Sequence, residues 1–255
     1  MKNALFYTVV FAAIQVVVSA VAKLVWNQVL GYSEVVSAPF MIGTLTAFNV
    51  LALVLFLVTK WAEVSRHWIR TRPWAVLFWC VMAAMGCIVP SMWLQEAMPE
   101  LPNLMEEGVD GLMSNRMGYF VIGLLAPLVE EVVFRGAILR SLLKWNQNCW
   151  IGIAISAALF ALSHFNPAQM PHAFLAGLLL GWMYCRTGSI VPGVVFHWVN
   201  NSVAYVAYNL SKAAYGTADL KLAELIGEQR VLLAVVFSLC MLLPAIYQLN
   251  LRMKK

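Results

Sequence analysis

The stretch Pro127-Leu-Val-Glu-Glu-Val-Val-Phe-Arg-Gly136 lies inside a longer apolar run, Met117 to Leu143, where a membrane helix would be expected to carry no charge. It holds three ionisable side chains, Glu130, Glu131 and Arg135. Each would cost about 2.5–3.5 kcal/mol at the bilayer centre if unpaired, so a cluster at that depth marks a functional site by default.

The rest of the chain is equally apolar. Of its 255 residues 62% are hydrophobic and 11% charged, whereas a soluble domain carries about 25% charged residues. Beside Met117 to Leu143, apolar windows run from Ala4 to Leu30, Pro39 to Trp61, Pro73 to Trp93, Trp150 to Phe165, Pro171 to Tyr184, Ile190 to Leu210 and Val231 to Leu249. The expected fold is therefore all-α, a polytopic membrane helix bundle of about eight transmembrane helices. The windows at Trp150 and Pro171 are shorter than the ~20 residues a crossing helix needs, so re-entrant or tilted segments stay open there. No linker, repeat or charge block divides the chain, which reads as a single membrane domain over residues 1–255.

Lys and Arg are retained in cytoplasmic loops. Eight spans with the N-terminus inside put Lys2, Lys60, Arg66, Arg70, Arg72, Arg140, Lys144, Arg186, Arg252, Lys254 and Lys255 in the cytoplasm and leave Arg116, Lys212, Lys221 and Arg230 outside. Both termini are thus expected to be cytoplasmic, in a multi-pass protein of the plasma membrane. The net charge of +5 follows from this topology, and no nucleic-acid partner is expected. Ala20-Val-Ala22 could pass for a signal-peptide cleavage site, but the apolar run continues to Leu30, so an uncleaved first helix is expected. The cysteines Cys80, Cys87, Cys149, Cys185 and Cys240 show no paired spacing and read as apolar packing, without a disulfide framework or a C-x-x-C metal site.

Polar residues concentrate between about 117 and 210, the expected catalytic core. Glu131 and Arg135 are four apart, the favourable order for an acid preceding a base on one helix face, so Arg135 is expected to neutralise Glu131. Glu130 points about 100° away and keeps no such partner. Pro127 invites a kink just before it. A carboxylate in a semi-dry pocket suits a general base working near neutrality. The next polar groups are His164, in Phe160-Ala-Leu-Ser-His164, and the pair His197 and Asn201, one helical turn apart. At about 1.5 Å per residue, Glu130 and His197 lie about 15 and 13 Å deep and His164 about 21 Å, so all three share a pocket only if the short fifth span is tilted or displaced. His172, beside Pro171, and His67, in a basic loop, lack such partners and read as structural or solvated.

The other residues narrow the chemistry. Asp110 and Asp219, the two aspartates, fall in loops, which excludes a paired-aspartate intramembrane protease. There is no H-E-x-x-H of a zincin and no G-x-S-x-G of a serine hydrolase. A Glu and His site that activates water remains.

Glu130-Glu-Val-Val-Phe-Arg135, Phe160-Ala-Leu-Ser-His164 and His197-Trp-Val-Asn-Asn201 resemble the motifs E-E-x-x-x-R, F-x-x-x-H and H-x-x-x-N of the CPBP family. These are CAAX-protease and bacteriocin-processing membrane proteins related to the type II CAAX prenyl endopeptidase. The connecting stretch Phe174 to Gly181 and Thr187-Gly-Ser-Ile is also similar. The resemblance covers about residues 123–202 and implies an eight-helix intramembrane endopeptidase acting on a peptide or membrane-protein substrate. It further implies that Glu130 with His164 activates the attacking water and that His197 and Asn201 donate to the oxyanion. Glu131 and Arg135 would support them. The expected mechanism uses no metal or other cofactor; the zinc-dependent alternative would employ Glu130, His164 and His197. A non-proteolytic membrane scaffold or immunity protein is the competing class.

Overall fold

The computed structural model describes residues 1–29, 36–65, 73–104, 106–217 and 220–253. His67, Arg66, Arg70, Arg72, Asp219, Lys254 and Lys255, used above for topology or exclusion, lie outside the described residues.

All eight apolar windows are helices, with ends close to those expected. They are α1 (Lys2–Val29), α2 (Ala38–Val58) and α3 (Trp74–Glu96), then, after the short α4 (Glu106–Met113), α5 (Arg116–Trp145), α6 (Cys149–Leu162), α7 (Met170–Thr187) and α8 (Val191–Tyr215). A further short helix, α9 (Leu222–Ile226), precedes α10 (Glu228–Arg252). Five of them, α1, α2, α3, α5 and α10, are long and apolar enough to cross a membrane. Of the other three, α6 at 14 residues is short for a crossing, and α7 and α8 carry His172, His197, Asn200 and Asn201 among their apolar residues. The chain is an all-α integral membrane protein, and its outward-facing Val, Leu and Phe side chains on α1 and α10 suit hydrocarbon as their solvent.

Two apolar cores flank the site. One gathers Phe11 of α1, Phe48 and Phe56 of α2, and Ile153 and Phe160 of α6 around the inner half of α5. The other joins Cys80 and Ala84 of α3, Leu180 and Met183 of α7, Phe196 of α8, and Ala245 and Leu249 of α10. The α6–α7 contact is made by small residues. A β-carbon on Gly177 would lie 2.9 Å from Ala157 Cβ, and one on Gly181 would lie 3.0 Å from Ile153 Cγ2. This Gly-x-x-x-Gly face lets two backbones approach closely, as apolar solvent requires of helices that must pack without a hydrophobic driving force.

The expected kink at Pro127 takes another form. α5 is wound as a π-helix over Phe120–Leu125 and again over Glu131–Leu139, with α-helix between. Proline removes a donor and crowds the carbonyl four residues back, and a wider turn relieves both. π-Winding disturbs the usual carbonyl pairing, and three carbonyls of these segments receive donors from elsewhere. Asn201 Nδ2 donates to Ile122 O at 3.0 Å, Ser156 Oγ to Phe134 O at 3.1 Å, and the Glu63 backbone N–H to Gly136 O at 3.3 Å.

The cysteine reading needs correction. Cys149 and Cys185 form a disulfide between the start of α6 and the end of α7, while Cys80, Cys87 and Cys240 are free. The pair is 36 positions apart in sequence, and the intervening chain folds into an antiparallel hairpin, which returns its two ends to each other.

Candidate active site

The expected buried pair is present. Arg135 Nη1 donates to Glu131 Oε1 at 2.8 Å with both side chains fully buried. Arg135 is held further by Nη2, which donates to the Gly177 carbonyl at 3.2 Å, and by its guanidinium carbon 4.6 Å from the centre of the Phe160 ring. A planar, delocalised cation suits such a site because it can donate in its plane while an aromatic face covers it. Glu131 thereby ties α5 to the α6–α7 hairpin through Arg135.

His197 stands between the two glutamates. Its Nδ1 is 3.4 Å from Glu131 Oε1, and its Nε2 is 3.6 Å from Glu130 Oε2. A carboxylate oxygen accepts, so Nδ1 carries a proton toward Glu131 and Nε2 is the nitrogen turned to Glu130. Glu130 is more open than its neighbour, with 21% of its side chain exposed against none for Glu131. The helical offset between consecutive residues thus separates a buried, paired carboxylate from an accessible one.

His164 follows the end of α6, in the turn leading to α7. Its Nδ1 donates to the Phe160 carbonyl at 2.9 Å, which fixes the proton there and leaves Nε2 with a lone pair. The Phe160 ring links the parts: it meets the His164 ring edge-on at 4.9 Å and the His197 ring edge-on at 5.7 Å. His164 and His197 are therefore neighbours across one aromatic ring, as a displaced fifth span requires. The structure pairs Glu130 with His197; His164 reaches the same cluster through Phe160. Asn201 contributes from α8, with one amide proton already committed to Ile122 O.

His172 departs from its expected isolation. Asn200 Nδ2 lies 3.2 Å from its Nε2, and its electrostatic neighbours are His197 and His164. Helix spacing could not reveal this, since Asn200 comes from α8 and His172 from the first turn of α7. In the sequence Asn200 stands beside the motif residue Asn201, and the one hint for His172 is its place between the second and third motifs.

Among the described residues no three His, Cys, Asp or Glu side chains are grouped as a metal needs, so Glu130, His164 and His197 are not gathered for zinc as arranged. Nδ1 of His164 and of His197 is turned to a carbonyl and to Glu131, which a metal-bound histidine would also show.

This fold and site define a class: an α-helical membrane protein with a Glu and His centre enclosed by its second half. Residues 113–203, which take in every residue of that centre, match the family model described as type II CAAX prenyl endopeptidase Rce1-like. The chain is 35% identical over 82 residues to an Escherichia coli protein called "Uncharacterized 24.3 kDa protein", covering 30% of this chain and 37% of that one. It is 29% identical over 80 residues to the UPF0177 protein YxdF of Lactococcus lactis subsp. lactis (strain IL1403), covering 31% and 42%. The matches thus span less than half the length of either relative. No solved structure matches.

Proposed function

We propose that this protein is an intramembrane endopeptidase of the CAAX-protease type that hydrolyses a peptide bond of a membrane-associated peptide or protein by a metal-free glutamate mechanism. The observation that carries the reading is His197 set between Glu130 and the buried Glu131. A water beside Glu130 gives it a proton and attacks the scissile carbonyl carbon, with the His164 Nε2 lone pair orienting that water. The carbonyl becomes a tetrahedral oxyanion. In this reading His197 is the imidazolium: Nδ1–H stays on Glu131 while Nε2–H, with the uncommitted amide proton of Asn201, donates to the oxyanion, and donors aimed at developing charge are usually the largest catalytic contribution. Collapse breaks the C–N bond, and the proton held by Glu130 passes to the leaving amine. Glu131 and Arg135 hold the His197 ring in orientation. The family match over residues 113–203 supports this reading. In the proposed topology the protein sits in the plasma membrane with both termini cytoplasmic, and its partners are a peptide or membrane-protein substrate and the bilayer rather than nucleic acid.

The test is cleavage of a mixed pool of peptides and membrane proteins by the purified protein in detergent, with wild type set against Glu130→Gln, with and without a strong chelator. Product from wild type alone, insensitive to the chelator, is expected. Loss on chelation with recovery on adding zinc would overturn the metal-free mechanism. Full retention of cellular phenotype by Glu130→Gln, with no cleavage by folded wild type, would favour a scaffold.

A further inference from the structure

His172 is half-buried at the start of α7, between the turn that carries His164 and the face of α8 that carries His197, and the mechanism above does not use it. Its tautomer follows from its contact with Asn200. Cys87 Sγ of α3 lies 3.9 Å from Asn200 Oδ1, but its single hydrogen has a nearer acceptor in the Ala84 carbonyl at 3.1 Å. Asn200 turns its amide nitrogen to His172 Nε2 at 3.2 Å, and an NH2 group can only donate. Nε2 is therefore the acceptor of a neutral imidazole, and Nδ1 bears the single ring proton. Asn200 and His172 come from different helices, so the ring is held across the α7–α8 contact. Building such an arrangement needs more than packing does, since apolar residues would fill the same place without two polar groups to satisfy.

We propose that His172 is a substrate-positioning residue of this site, its Nδ1–H donating to a backbone carbonyl of the bound peptide near the scissile bond. The inference rests on the endopeptidase reading. An extended peptide in an apolar site has carbonyls without water to satisfy them, and each one left unpaired weakens binding. A donor fixed beside His164 and His197 meets one such carbonyl and sets the register of the chain. Asn200 acts through His172, by keeping the proton on Nδ1.

The experiment measures steady-state cleavage of a peptide taken from the pool by wild type, His172→Phe and Asn200→Leu, and retention of that pool by immobilised Glu130→Gln protein with and without His172→Phe. The expected result is a KM raised about tenfold with kcat within about threefold in both variants, an unaltered pH profile, and loss of retention in the His172→Phe background. Melting temperatures in detergent close to wild type exclude a folding defect, and His172→Asn, which keeps a side-chain N–H, should recover part of the KM. Unchanged KM and unchanged retention would overturn the proposal, as would equal losses of kcat and stability. If wild type neither cleaves nor retains any member of the pool, the endopeptidase reading fails and this inference falls with it.

Discussion

Gly193 of α8 faces Glu131 of α5 so closely that a β-carbon at residue 193 would stand 2.5 Å from Glu131 Oε2 and 3.2 Å from its Cδ. The third motif helix thus approaches the first through a glycine, one turn before His197. Gly193→Ala must push the carboxylate away, and Glu131 cannot yield without disturbing Arg135 on the same group. Overpacking of this kind costs about 1–3 kcal/mol. The expected outcome is a lower melting temperature together with at least a tenfold loss of turnover. Gly43→Ala, with nothing within 4 Å of its new carbon, is the control, and should be neutral or up to about 1 kcal/mol more stable.

Glu131 and Arg135 should behave as a unit. Removing one member leaves a buried charge without its partner, at about 3–5 kcal/mol, whereas removing both is far less harmful. Arg135→Leu alone is therefore expected to unfold at a much lower temperature than the double variant Glu131→Leu with Arg135→Leu. Equal losses in the two, measured by thermal unfolding in detergent, would show that the pair is not coupled.

That pair was legible in the sequence because helical spacing is local. The eight helices were legible for a similar reason, since an apolar window carries its own evidence. What escaped reading depends on partners from other elements. The π-winding of α5 leaves no mark in a 3.6-residue pattern, and its carbonyls are served by Ser156, Asn201 and the backbone of Glu63. His172 finds Asn200 28 residues away. Cys149 meets Cys185 only because the Gly177 and Gly181 face draws α7 against α6. In each case the sequence holds the group but not the neighbour.

Asn201 has two tasks that can be separated. Asn201→Asp removes every side-chain N–H and sets a carboxylate oxygen against Ile122 O, so both the π-segment and the oxyanion lose a donor. Ser156→Ala deprives Phe134 O of its donor but touches no motif residue, and a buried carbonyl left unpaired costs about 1–3 kcal/mol. Both variants should lose stability, Asn201→Asp the more, because it sets oxygen against oxygen. Only Asn201→Asp should lower kcat by about a hundredfold or more, as measured by single-turnover cleavage.

At the end of α4, Asp110 accepts from Lys212 and from the Tyr208 hydroxyl. The Lys212 ammonium first, and the Tyr208 hydroxyl next, hold its carboxyl below the usual carboxylate range. The folded value therefore lies under the unfolded one of about 3.9, so the contact is fully present above about pH 4 and is lost as the pH falls through the lower folded value. The protection factors of the amides of residues 110–113, that is, exchange rates corrected for the intrinsic pH dependence, should fall on acidification in that window. The fall should be smaller at high salt, since the pair is exposed, and Asp110→Asn should make the protection factors independent of pH there.

The disulfide between Cys149 and Cys185 closes the α6–α7 hairpin at the end away from His164 and His172. With the turn between those histidines at one end and the sulfur bridge at the other, the two helices make a covalent ring. A protease cut anywhere in the turn would break the main chain yet separate nothing. The fragments before and after the cut would migrate together on a gel until a reductant was added, and both histidines would stay in register within an enzyme already in two pieces.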